Sequence, residues 1–124
     1  MQPRLAWIAR CVLSTRHTNS VIMSIQLIYE KLNQTKTAFM RRANPWAQKA
    51  REQGNRPFGS VVVSGAGTVL KAAFCNTINS GDCTGHAETK AVRQLSPKAC
   101  CEVLASSTLY LLAAPCVMCA GAIF

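Results

Sequence analysis

Two short segments constrain this chain more than any others: Thr84-Gly85-His86-Ala87-Glu88, and Ala114-Pro115-Cys116-Val117-Met118-Cys119. Each follows a strand-like run and precedes an apolar helix-like one. Cysteines at i and i+3 lie on one side of a helix, so Cys116 and Cys119 can grip a single metal ion. A helix start just after Pro115 favours the thiolate through its exposed amides and dipole. His86 and Glu88, at i and i+2, would diverge inside a regular helix, so the pair makes sense only in a first turn, which the loop ending in Gly85 permits. Either segment alone is weak. A Cys-x-x-Cys is a common accident in a chain with seven cysteines, and a lone His-x-Glu is usually a solvated helix start. Together, with 27 residues between Glu88 and Cys116, they make a single candidate: one imidazole nitrogen and two thiolates that could ligate zinc with a fourth position left to water, as in catalytic zinc centres, and Glu88 nearby to exchange protons with it, a pattern matched to a known signature and not deduced from the spacing.

A chain of 124 residues has room for one small domain. Its 49% hydrophobic content suffices for a packed core and excludes general disorder. The formal charge of +9 would attract polyanions such as RNA. Much of the excess lies before Gly54, among residues such as Arg4, Arg10, Arg16, Lys31, Arg41, Arg42 and Lys49, and reads either as a basic solvated leader and helix face or as a nucleic-acid surface. An odd cysteine count, with Cys100 beside Cys101, argues against a disulfide framework, so a reducing, cytoplasmic compartment is the default. No apolar run reaches the roughly 18 residues of a membrane span.

Taken in order, residues 1–37 read as an N-terminal extension. Arginines and serines without an acidic residue before Glu30 give it the composition of a mitochondrial or plastid transit peptide, or of an unremarkable extension. Val21, Ile22, Ile25, Ile28, Tyr29 and Leu32 recur at helical intervals and predict a short amphipathic helix. Around Phe39, Ala43, Trp46, Ala47 and Ala50 the helical spacing returns, but Pro45 would remove a backbone bond in mid-helix at about 3 kcal/mol. The expectation is therefore a fresh helix with Asn44 as N-cap, Pro45 at the first position and Gly54 just past the end. Pro57 to Val63 reads as a turn followed by a strand, Thr68 to Cys75 as a second strand, and the two predict a hairpin; Thr77 to Gly85 reads as a polar loop. A helix carries Ala87, Ala91, Val92 and Leu95. After a loop through Pro97, Cys100 and Cys101, Thr108 to Leu112 predicts a third strand, apolar enough to be central. Both site segments would then meet at the carboxyl edge of one sheet, where open α/β sheets bind ligands. Asn76 faces the same edge with an amide suited to the polar rim of a base. Phe58 could stack on a flat ring or pack in the core.

The two segments resemble the H-x-E and P-C-x-x-C signature of the zinc-dependent cytidine/deoxycytidylate deaminase superfamily. The likeness covers residues 38–124. Asn76-Thr77, Gly81 to Glu88 and Cys116 to Ile123 resemble the branch holding guanine deaminases and tRNA adenosine deaminases. It implies an α/β, three-layer cytidine-deaminase-like fold, here incomplete, with about three strands and helices on both faces. It also implies Zn2+ held by His86, Cys116 and Cys119, catalysis by Glu88, base contact through Asn76, and a homodimer.

The implied activity is hydrolytic deamination of a nucleobase or nucleoside, on the guanine deaminase pattern because of the loop after Asn76. The basic leader keeps tRNA adenosine as the alternative substrate. Two departures from the family pattern stand out: Ala114 occupies a place where relatives usually carry glutamate, and the matched fold stops at its last recognisable helix. A catalytically impaired subunit that binds RNA or a partner, or a purely structural zinc site, are the readings from other classes.

Overall fold

The computed structural model describes residues 18–124. The leader's Arg4, Arg10, Cys11, Arg16 and His17, with the transit-peptide reading they carry, lie outside the described residues. The described chain divides after Lys36 into two units, the second of them residues 37–124. Helix α1 (Thr18–Glu52) is continuous over 35 residues. In the first unit its Ile22, Ile25, Ile28, Tyr29 and Leu32 are all exposed. Among the described residues no helix is long and apolar enough to cross a membrane.

In the second unit α1 runs straight through Pro45, where a fresh start at Asn44 was expected. The reason is tertiary. Ala43 and Ala50 are fully buried and Ala47 nearly so, and that face binds the helix to the sheet. Pro45 and Arg41 are on the exposed side, where water can serve the carbonyl that proline leaves without a donor. The helix ends as glycine chemistry dictates. Gly54 takes a left-handed φ of +76°, its amide donates to the Arg51 carbonyl at 2.9 Å, and the Asn55 amide donates to Ala50 at 2.9 Å. This pair of bonds is a Schellman motif, and a Cβ at residue 54 would disfavour it.

The sheet has three strands in the order β2-β1-β3: β1 (Gly59–Val63), β2 (Val69–Phe74) and β3 (Thr108–Leu111). Strand β1 pairs antiparallel with both neighbours, so β2 and β3 run the same way. The central strand is β1, not β3 as expected. All five residues of β1 are buried, because helices cover both of its faces. Val62 turns to one side with Ala73, Ala91 and Leu95. Val61 and Val63 turn to the other, onto Ala43, with Phe39, Trp46 and Tyr110 around them. β3 is half-buried and, among the described residues, pairs only with β1.

The layers are therefore α1, the sheet, and α3 (Ala87–Leu95), a three-layer α/β arrangement. Two segments expected as loops contain short helices: α2 (Thr77–Ser80), and α4 (Cys101–Ala105) after a 3-10 turn at Ser96–Lys98. The first forms because Asn55 Oδ1 accepts the amides of Ile78 and Asn79 at 3.0 and 3.1 Å, partners that lie too far along the chain to read locally. The second is held through Leu104 and Ala99, which pack on the Val62 cluster. Helix α5 (Val117–Ile123) closes the described chain.

Candidate metal centre and cavity

Because β2 and β3 run in the same direction, the segments that follow them emerge at one edge of the sheet. His86 and Cys116 occupy equivalent places there: each is the N-cap of a helix, with extended backbone. Neither side chain caps its own helix, so both are free for other partners. His86 Nδ1 lies 3.6 Å from Cys116 Sγ and 3.5 Å from Cys119 Sγ, and the three donor atoms fall within 4.8 Å of one another. Zinc bonds of about 2.05 Å to nitrogen and 2.3 Å to sulfur, opened to a tetrahedral angle, put N and S about 3.6 Å apart. The donor set and its spacing fit zinc.

The environment treats the two thiols differently. Cys116 is exposed, and its pKa is held below the ordinary thiol value, first by the Cys119 backbone amide, then by the Cys119 side chain. Cys119 is fully buried, and burial pushes its pKa up, while a hydrogen bond from Thr89 works the other way. The negative charge of Glu88 acts on both sulfurs, which places that carboxylate in the field of the cluster. None of the six described cysteines is in a disulfide.

Several supporting residues were not foreseen in the sequence. Thr89 Oγ1 contacts Cys119 Sγ at 3.2 Å. Ser60 donates to the Ala87 carbonyl at 2.8 Å, tying the first turn of α3 to the central strand. Asp82 accepts the Thr84 amide and hydroxyl at 2.8 and 2.6 Å and pairs with Arg93 at 3.6 Å. Its carboxyl is held below the usual range, the Thr84 hydroxyl first among the causes. These contacts brace the loop that delivers His86. Thr89 follows His86 at i+3, the one sequence signal that could have pointed to it.

A cavity of about 150 Å³ opens over the cluster, lined by Phe58, Cys75, His86, Glu88 and Cys116 among others, with Ala114 and Arg56 on its wall. Phe58 is exposed along one side, at 40%. Asn76 stands outside this lining: its Oδ1 is directed at the Gly85 backbone, where a Cβ would come within 2.8 Å. The Asn76 backbone N–H donates to the Gly85 carbonyl at 3.0 Å.

A three-layer α/β domain with a His-Cys-Cys cluster able to hold a metal ion beneath a small cavity defines a class of proteins. Within it, the family model for the cytidine and deoxycytidylate deaminase zinc-binding region matches residues 33–124, and the chain belongs to that family. It is 38% identical over 94 residues to a probable cytosine deaminase of Schizosaccharomyces pombe, covering 76% of this chain and 56% of the relative. It is 39% identical over 84 residues to a tRNA-specific adenosine deaminase of Haemophilus influenzae, covering 68% of this chain and 49% of the relative. Among solved structures, guanine deaminase from Bacillus subtilis superposes with a TM-score of 0.59 at 34% identity, over 70% of this chain and 55% of its own. A structure from work on A-to-I editing by tRNA:A34 deaminases gives the same TM-score at 35% identity, over 70% of this chain and 66% of its own. The chain thus spans about half the length of the curated relatives it matches.

Proposed function

We propose that this chain forms the catalytic centre of a hydrolytic deaminase, with His86, Cys116 and Cys119 holding zinc and Glu88 moving protons. The observation that carries the reading is the pair of 3.5 and 3.6 Å separations between His86 Nδ1 and the two sulfurs, with Glu88 lining the same cavity. A zinc ion held there would supply the Lewis acidity that makes a water molecule nucleophilic near neutral pH. The rest falls to the chain. Phe58 offers a flat apolar wall on which a base can lie. Glu88 takes a proton from the attacking water, passes it to the ring nitrogen, and returns one to the departing amine. Atoms balance: water enters, ammonia leaves, and the ring carbon exchanges an amino group for a carbonyl oxygen. Asn76 is the polar contact for the ring edge, its side chain having only to swing off Gly85.

The substrate is a purine base or nucleoside on the guanine pattern; adenosine in tRNA is the second reading, favoured by the tRNA deaminases among the relatives. The test is zinc content and ammonia release on guanine, cytosine, adenosine and tRNA. About one zinc per chain is expected, with Glu88→Ala keeping the metal and losing turnover. Zinc bound with no ammonia from any of these substrates favours the partner-subunit reading, and a fourth protein ligand on the zinc favours a structural site.

A further inference from the structure

The sheet has an edge for which the hydrolysis has no use. Among the described residues β2 pairs only with β1. The Cys75 amide donates to the Phe58 carbonyl at 3.0 Å, and along an antiparallel strand the backbone groups alternate in direction. Lys71 and Ala73 therefore turn their N–H and C=O to β1, while Ala72 and Phe74 turn theirs outward, where no described residue takes them up. Lysines flank that edge: Lys49 from α1, Lys71 from β2 itself and Lys90 from α3. The Nζ atoms of Lys90 and Lys49 lie 4.2 and 5.3 Å from the centre of the Phe74 ring, which also stacks on Trp46 at 6.1 Å. Burial holds the Lys90 pKa below the ordinary lysine value; Cys75 opposes that, and the charges of Lys49 and Lys71 add to it, so the three ammoniums share one field. Among the described residues the ion pair formed is Arg93 with Asp82, which leaves these lysines without a carboxylate.

We propose that the outer edge of β2 docks an acidic, extended segment of a partner protein as a fourth strand of the sheet. The outward groups of Ala72 and Phe74 supply main-chain hydrogen bonds, which is how strand addition gains its affinity. Edge lysines turn away a second copy of a basic chain, and the same charges select an acidic strand. Side chains of the added strand alternate between the two faces of the sheet. Lys49 belongs to the α1 layer and Lys90 to the α3 layer, so two consecutive acids, one to each face, meet a lysine each. Acids at every second position leave one layer unmatched. A protein segment fits this edge better than nucleic acid does. Phosphate groups accept hydrogen bonds and offer none to outward carbonyls, and the Phe74 ring is already taken up by Trp46 and the lysines, whereas a stacking base needs an open aromatic face.

Docking here does not depend on the deaminase reading, and it is read by binding rather than turnover. The full chain is titrated into a dye-labelled peptide of threonine and valine with Glu-Asp at its centre, followed by fluorescence anisotropy. Saturable binding is expected, with the Ala72 and Phe74 amides slowed in hydrogen exchange and the Ala73 amide unchanged. A peptide of the same composition with its acids two positions apart should bind several-fold more weakly, and the double variant Lys49→Glu, Lys90→Glu should weaken binding about tenfold or more. A further pair of peptides leaves the protein untouched. Each is methylated at alternate backbone nitrogens, in one register or the other, and keeps its charge; one should bind and the other should not, since a strand turns every second amide to its neighbour. No saturable binding of the acidic peptide overturns the proposal, as does equal affinity for the two methylated peptides. Tighter binding of a single-stranded oligoribonucleotide that protects the same edge also overturns it and assigns the lysines to nucleic acid.

Discussion

Thr89 Oγ1 lies 3.2 Å from Cys119 Sγ, and both residues are buried. A buried thiolate is costly unless something donates to it, and the Thr89 hydroxyl favours that charge against the burial that opposes it. Outer partners of metal ligands typically contribute ten- to a hundredfold in affinity. Thr89→Val keeps the volume and removes the donor, so zinc affinity should fall about tenfold in chelator competition, with Thr89→Ser restoring most of it. Unchanged affinity in the valine variant would remove Thr89 from the metal site's support.

The two cysteines should separate chemically. In the metal-free protein Cys116 is exposed with a lowered pKa, and Cys119 is buried with a raised one. A lowered pKa means more thiolate at neutral pH, and thiolate is the reactive form. Iodoacetamide should therefore modify Cys116 first, at a rate that rises with pH and levels off at a lower pH than an ordinary thiol would show. Cys119 must shed its proton to bind metal, so zinc affinity should climb as pH rises and fall as pH drops. Peptide mapping after timed alkylation checks the first, and zinc titration across pH the second; equal labelling of the two sulfurs would contradict the assigned environments.

What could be read from the sequence was what is local. His86 and Cys116 sit at helix starts because Gly85 and Pro115 punctuate the chain beside them, and the β-branched run Val61-Val62-Val63 announces the strand that both helical layers cover. Contacts made at a distance were not legible. Pro45 signals a helix break to any local rule, and only the burial of Ala43, Ala47 and Ala50 against the sheet keeps α1 whole. The central place went to β1 because pairing, not apolarity, sets strand order. Asn55 reaches partners 23 and 24 residues away, so neither its role nor the short helix it starts could be seen beforehand.

Gly59 marks where α1 and β1 touch backbone to backbone. A Cβ there would run into the Ala43 carbonyl and come within 2.7 Å of the Ala47 amide nitrogen. Neither obstacle is the end of a flexible side chain, so helix and strand must move apart across the Val61 cluster. Gly59→Ala should cost about 1–3 kcal/mol, in the range of overpacked cores. Gly121→Ala, inside α5 with nothing within 4 Å, is the control and should be neutral to about 1 kcal/mol stabilising. Urea denaturation of both variants decides it, and similar midpoints would mean that the close approach carries no weight.

Asn55 offers the sharpest test of how the loop is built. Its Oδ1 receives the amides of Ile78 and Asn79 at the start of α2, while its Nδ2 makes only a long 3.4 Å contact with the Gln53 carbonyl. The acceptor is therefore the half of the amide that matters. Asn55→Ala leaves two partly buried donors without a partner and should cost about 1–3 kcal/mol. Asn55→Asp keeps the oxygen and sets a negative charge at two helical amides, so it should lose far less. In hydrogen exchange, the Ile78 and Asn79 amides should open faster in the alanine variant and stay protected in the aspartate one. If both variants lose protection equally, the side-chain oxygen is not what holds α2.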